Sequence, residues 1–203
     1  MITIVDNKLG NVQSLKNILA RIGVDSIITS EREVIGKATK IILPGVGAFD
    51  SGMRNMHKQN IIEIMSEKVL HENIPVLGIC LGMQLMANGS DEGNLPGLGW
   101  IDAWIKKFDK KNMQDLKIPH MGWNIMKYNN KSGLFVDIGV EPRFYFVHSY
   151  YMECAEKSNI IATCVHGNSF AAAINFKNIW GVQFHPEKSH KFGMQLMKNF
   201  CNL

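Results

Sequence analysis

A cysteine held between two glycines, "GICLG" at residues 78–82, is where residue type and spacing first suggest chemistry in this chain. The apolar "IPVL" before it reads as a buried strand, and "LGMQLMANG" after it reads as a short helix stopped near Gly89. Cys80 therefore falls at a strand-to-helix corner. Glycines two residues before and two after are needed there because Cβ atoms would collide where strand and helix nearly touch. The serine version of this pattern is the nucleophile elbow of hydrolases, and here the nucleophile is a thiol. Such a corner exposes the sulfur at the C-terminal end of a sheet, where open α/β folds place ligands. It sets the thiol at a helix N-terminus, which favours the thiolate. It also offers the Leu81 backbone N–H to an oxyanion. Gln84, one helical turn on, shares the face of Cys80 and could orient a substrate.

A nucleophilic cysteine needs a base, and the base needs a group to hold it. Of the seven histidines, His57 and His71 lie in or beside a polar helical segment, His190 begins the last helix and His166 falls in a hairpin turn, so none of these is expected to act. His120, His148 and His185 remain, and "QFHPEK" singles out His185. Pro186 biases His185 to extended backbone, and extended residues two apart project to one side, so Glu187 can reach the imidazole. The sequence thus offers Cys80, His185 and Glu187 as nucleophile, base and orienter. "LPGVGAF" (43–49) adds a glycine-bracketed loop after a strand, a plausible second half of an oxyanion hole; it lacks the G-K-[ST] ending of a phosphate loop. No His/Cys/Asp/Glu set has metal-binding spacing, so neither a metal nor another cofactor is expected.

The elements that must position these groups alternate. "ITIV", "SIIT", "KIILP" and "IPVLGIC" read as strands. Between them, 10–23 puts Val12, Leu15, Ile18, Leu19 and Ile22 on one helical face with Gly23 as the stop, and "NIIEIMSEKVLHEN" carries Ile61, Met65 and Val69 at helical spacing. This predicts a mostly parallel central sheet with helices on both faces. In the second half, "RFYFVHSYYMEC", "NIIATCV", "SFAAAINF" and "NIWGVQFHP" read as strands, some joined by only two or three residues, which requires an antiparallel flank. Residues 189–201, with Phe192, Leu196 and Phe200, read as a closing helix.

With 203 residues and 46% apolar content, the chain suits one core and a single domain spanning 1–203. A net charge of +4 with no Lys/Arg run longer than two residues argues against nucleic-acid binding. No stretch approaches a membrane span and the start "MITIVDN" is not a signal peptide, so a cytoplasmic protein is expected. Cys154, Cys164 and Cys201 fit free, inert thiols in a reducing compartment.

"PGVGAF", "GICLGMQ", "PHMGWN", "FYFVHSYY" and "GVQFHPEKS", in that order over essentially the whole chain, resemble the class I (triad) glutamine amidotransferases. "PHMGWN" and "FYFVHSYY" point more narrowly to the glutaminase subunits of imidazole glycerol phosphate synthases. The resemblance implies that Cys80 attacks the side-chain amide of L-glutamine, that His185 shuttles the proton and that Glu187 orients His185. It places Val46 and Leu81 as oxyanion donors and Gly47, Gln84, His148, Ser149 and Tyr150 against the substrate. It implies a heterodimer in which ammonia passes to a (β/α)₈-barrel synthase subunit, with Asn11, Trp123, Tyr145 and Lys188 at the interface. From the residues alone, Trp123 is only an aromatic beside a glycine in a turn. "DNKLGN" departs from the family's Asp-Tyr-Gly: Asn7 and Lys8 replace an aromatic and a glycine near the expected partner surface. An acceptor from surface-sugar biosynthesis, in place of the histidine-pathway ribonucleotide, is therefore the alternative.

Overall fold

A computed structural model describes residues 1–109, 111, 116–129 and 133–203. The first half runs β1 (Ile2–Val5), α1 (Val12–Arg21), β2 (Ser26–Thr29), α2 (Arg32–Ile35), β3 (Lys40–Gly45), α3 (Phe49–Lys58), α4 (Ile62–Ser66), β4 (Val76–Cys80) and α5 (Leu81–Leu85). The second half holds β5 (Gly89–Ser90), β6 (Ala103–Lys107), β7 (His120–Ile125), β8 (Lys127–Tyr128), β9 (Arg143–His148), β10 (Tyr150–Cys154), β11 (Ile160–His166), β12 (Asn168–Phe176), β13 (Ile179–Val182) and α6 (His190–Asn202). An eight-stranded sheet has the order β2-β1-β3-β4-β13-β12-β11-β8. Pairings from β2 through β13 are parallel, and those from β13 through β8 antiparallel.

The central parallel strands β1, β3 and β4 are buried on both sides because helices cover both. On one face Ile4, Ile42, Leu77 and Ile79 pack with Leu15 and Leu19 of α1 and Leu196 and Phe200 of α6. On the other, Val5, Ile41, Leu43 and Val76 pack with Met53 and Met56 of α3, Met65 of α4 and Leu85 of α5. Asn11 caps α1 by accepting from Ser14 N at 3.1 Å, and Gly23, at φ +78°, ends it. No helix among the described residues is long and apolar enough to cross a membrane.

Four expectations change. Met65 and Val69 are buried as the helical spacing implied, but the helix continues from α4 as a π-helical turn over Glu67–His71. The segment α3 had no place in the sequence reading; its buried Phe49, Met53 and Met56 follow helical spacing. "RFYFVHSYYMEC" is two strands in different sheets: β9 pairs with β7, β10 with β6, and the chain turns at Ser149. Alternating burial persists on each side of the turn, so the break leaves no trace in the period. Trp123 lies in β7, not in a turn, directly opposite Tyr145.

Candidate active site

Three parallel strands, β3, β4 and β13, end side by side, and the chemistry gathers at those ends. Cys80 has φ +53° and ψ −111°, a conformation that strains any residue bearing a Cβ. Its flanking glycines explain why the corner closes. A Cβ on Gly82 would lie 1.8 Å from the Leu43 carbonyl oxygen, and one on Gly78 would lie 2.7 Å from the Met83 backbone. The helix that follows is shorter than expected, ending at Leu85 instead of near Gly89, which begins β5. A five-residue helix has little macrodipole, so the local electrostatics rest on first-turn N–H groups and nearby side chains.

His185 follows β13 in extended conformation, φ −103° and ψ 97°, as the following proline requires. Its Nδ1 is 2.8 Å from Glu187 Oε1, and its backbone N–H donates to Tyr145 O at 2.9 Å. The Ser189 hydroxyl fixes the turn by donating to the His185 carbonyl at 2.6 Å and accepting from Tyr145 N at 3.1 Å. The ring is 2% exposed. Burial alone would lower its pKa, but side-chain interaction with Cys80, and then with Glu187, raises it to about 10. His185 thus favours the imidazolium, the form that pairs with a thiolate. The remaining cysteines differ: burial pushes the Cys154 and Cys201 thiols up to about 11 and Cys164 to about 12.

A pocket of about 330 Å³ opens onto Cys80. Val46, Gly47, Leu81, Gln84, His148, Ser149 and Tyr150, the expected oxyanion and substrate residues, all line it together with Cys80. His185 and Glu187 do not line it; they sit behind, beside a smaller cavity with Asn11 and Val46. Gln84 is more constrained than a free substrate ligand: its amide nitrogen donates to Tyr150 O at 3.1 Å and Gln183 Oε1 at 3.0 Å.

Sequence reasoning missed several contributors. Glu92 lines the pocket with Oε2 accepting from Phe49 N at 2.8 Å, yet it belongs to no motif. Gln183 is wholly buried with Nε2 at 3.7 Å from Cys80 Sγ; its two-residue spacing before His185 was the available signal. His166 is not in a turn. It ends β11, is buried, and stacks on His120 with centroids 4.2 Å apart. His120, set aside once His185 was chosen, forms a 3.0 Å contact between its Nδ1 and His148 Nε2. His57, His71 and His190 are exposed as expected.

Outside the pocket, Trp123 lies edge-on to Tyr145 at 6.0 Å, and Lys188 Nζ sits 5.3 Å from the Tyr145 ring centre. Asn11, the cap of α1, is exposed and lines the smaller cavity with Glu187. Asn7 is not on this surface. It is fully buried because its Nδ2 donates to Pro44 O at 3.1 Å and its Oδ1 accepts from Leu9 N. Lys8 is exposed and ion-paired to Asp6 at 2.8 Å, with φ +62° where a glycine would be unstrained.

Comparison with known proteins resolves which chemistry this geometry serves. The family profile "Glutamine amidotransferase class-I" matches residues 3–202. The chain belongs to this family. It is a glutamine amidotransferase, and it is 55% identical over 98% of both chains to "Imidazole glycerol phosphate synthase subunit HisH 2" of Methanococcus maripaludis. It is 45% identical to the Pseudomonas aeruginosa protein of the same name and to "Imidazole glycerol phosphate synthase subunit HisH" of Bdellovibrio bacteriovorus, over the full length of each. Among solved structures, PurLQS from Thermotoga maritima contains a chain with the fold of this amidotransferase, at a TM-score of 0.73 and 15% identity, covering 99% of this chain and 97% of that one. The mixed α/β sheet is therefore the class I amidotransferase fold.

Proposed function

We propose that the chain is a single-domain glutaminase subunit of an imidazole glycerol phosphate synthase, releasing ammonia from glutamine for a (β/α)₈-barrel synthase subunit in histidine biosynthesis. The observation that carries this reading is the convergence of Cys80, His185 and Glu187 beside one pocket in a chain whose full-length relatives bear that synthase's name. The names of those relatives point to the histidine-pathway acceptor, and nothing in them supports a surface-sugar acceptor.

The residues act as follows. The Cys80 thiolate attacks the side-chain carbonyl carbon of glutamine, and the C=O electrons move onto oxygen. That oxyanion is met by the Leu81 N–H at the start of α5 and the Val46 N–H, one residue beyond the Gly45–Cys80 pair. Collapse breaks the C–N bond, and His185 gives its proton to the leaving nitrogen, so ammonia departs and a thioester remains. Water, deprotonated by His185, then cleaves the thioester to glutamate and the thiol. Glu187 holds the ring and its charge through Nδ1. Glu92, a carboxylate in the pocket wall, takes the substrate's ammonium, while His148, Ser149 and Tyr150 form the opposite wall. Trp123, Tyr145, Lys188 and Asn11 face the barrel partner in a cytoplasmic heterodimer.

The test is Cys80→Ala in the complex co-purified with its partner. Glutamine-driven synthesis falls to background while ammonium-driven synthesis by the partner persists, because only the nitrogen source is lost. Glutamine-driven synthesis surviving in that variant overturns the assignment, and glutamate release accelerated by a sugar nucleotide but not by the ribonucleotide overturns the acceptor.

A further inference from the structure

Gln183 does not belong to the three residues assigned to the chemistry, yet its side chain reaches the same sulfur. It is 0% exposed, which for an amide is costly unless both ends are bonded. Its two ends are told apart by a chain of hydrogen bonds anchored on a backbone carbonyl. Tyr150 O can only accept, so the Gln84 atom 3.1 Å from it is nitrogen. That nitrogen is also 3.0 Å from Gln183 and donates there, so the Gln183 atom facing it is oxygen. The end left facing Cys80 Sγ, at 3.7 Å, is the NH₂ group. His148 Nδ1 lies 2.7 Å from the same Tyr150 carbonyl, which accepts from both side chains.

We propose that Gln183 is a further catalytic residue, whose side-chain N–H donates to the Cys80 sulfur and stabilises its thiolate. This rests on the reading of Cys80 as the nucleophile. A neutral thiol is a weak acceptor, whereas hydrogen bonds to an ionised partner are roughly twice as strong as neutral ones. The amide therefore helps the charged form more than the neutral form and drives the proton towards His185. Because Gln183 is fully buried and its oxygen is held by Gln84, little reorganisation is needed when the charge forms.

The experiment uses the full chain carrying Gln183→Leu, with Gln183→Met, unbranched and of matching length, as the second variant should leucine prevent folding. Circular dichroism and the melting curve identify the folded variant. Cys80→Ala supplies the blank for ultraviolet thiolate absorbance, and iodoacetamide at neutral pH reads reactivity. The expected result is a lower thiolate absorbance and a Cys80 alkylation rate reduced about tenfold. A folded variant with unchanged absorbance and alkylation overturns the proposal, since a purely structural glutamine alters melting but not the state of the thiol. The two readings fail separately: glutamine turnover surviving Cys80→Ala removes the nucleophile assignment, while the absorbance still reports the N–H···S contact.

Discussion

His120 Nδ1 lies 3.0 Å from His148 Nε2, and the hydrogen bonds around this pair leave no room for a proton on either ring beyond the one it holds. His148 Nδ1 faces the Tyr150 carbonyl and must carry hydrogen, so its Nε2 is the acceptor. His120 Nδ1 is then the donor, and its Nε2 accepts from Asn124 Nδ2 at 3.2 Å. Burial, with His166 beside it, lowers His120 to about 4. Burial lowers His148 to about 3, against the Tyr150 hydrogen bond and with help from His120, His166 and His185.

Acid destabilisation follows with a defined sign. Both groups have folded pKa values below their unfolded value of 6.5. Their contribution to stability is fully present above pH 6.5 and is lost as pH falls, through about 4 for His120 and about 3 for His148. The melting temperature should drop between about pH 7 and pH 5, and His120→Phe, which removes one of the protonation sites, should flatten that slope. Parallel wild-type and variant curves over this range would rule out the neutral pair.

Glu187→Gln tests the opposite shift. Cys80, together with the carboxylate, holds His185 at about 10 although burial opposes it. The charged ring stabilises the fold fully below pH 6.5, and this contribution is lost as pH rises through about 10. In the variant that contribution should be smaller and exhausted at a lower pH, seen as a lower melting temperature near neutrality and a shallower fall on the alkaline side. Glutamate release by the complex should fall by roughly 10²–10⁴-fold, the range for a disabled general acid–base. Wild-type turnover in Glu187→Gln would show that Glu187 does not act through His185.

How far the sequence could be read depends on whether a signal was local. The elbow was legible because a residue at φ +53° between two strand–helix contacts needs glycine on both sides. Gly23 and the apolar face of α1 were equally local, whereas the capping of α1 by Asn11 was not read. The split of β9 from β10 was not, because Ser149 interrupts pairing without interrupting alternation. Nor were Glu92 and His120, whose neighbours lie 43 and 28 residues away in sequence and meet only through the fold. Gln183 was partly legible: the i, i+2 argument that joined His185 to Glu187 extends one step back.

Gly82→Ala should be among the most damaging single substitutions. The added Cβ would meet the Leu43 carbonyl oxygen at 1.8 Å, and that backbone is held by β1, β3 and β4, so neither side can retreat cheaply. Destabilisation of about 3 kcal/mol or more is expected from such overpacking, measured by urea unfolding. Gly47→Ala is the contrast, since nothing lies within 4 Å of its Cβ and only its φ of +107° resists substitution. Equal unfolding midpoints for Gly82→Ala and wild type would show that the strand–helix approach is looser than described.

Trp123→Ala should cost partner affinity far more than stability. The period of β7 sends Met121 (63% exposed), Trp123 (47%) and Ile125 (40%) to the outer side, while His120 turns inward. Trp123 is already held in place: its ring stacks on His190 at 5.2 Å with planes 2° apart and meets Tyr145 edge-on. A large aromatic exposed yet preorganised, amid other exposed apolar side chains, has the character of an interface anchor. Truncation should raise the Kd for the proposed synthase partner about thirtyfold or more, from a hot-spot loss of about 2 kcal/mol. The isolated chain should melt with a stability change within about 0.5 kcal/mol, as for surface substitutions generally. Titration calorimetry measures the first and thermal melting the second. An unchanged Kd would move the partner surface away from β7, and with it the roles assigned to Tyr145 and Lys188, which contact the same ring cluster.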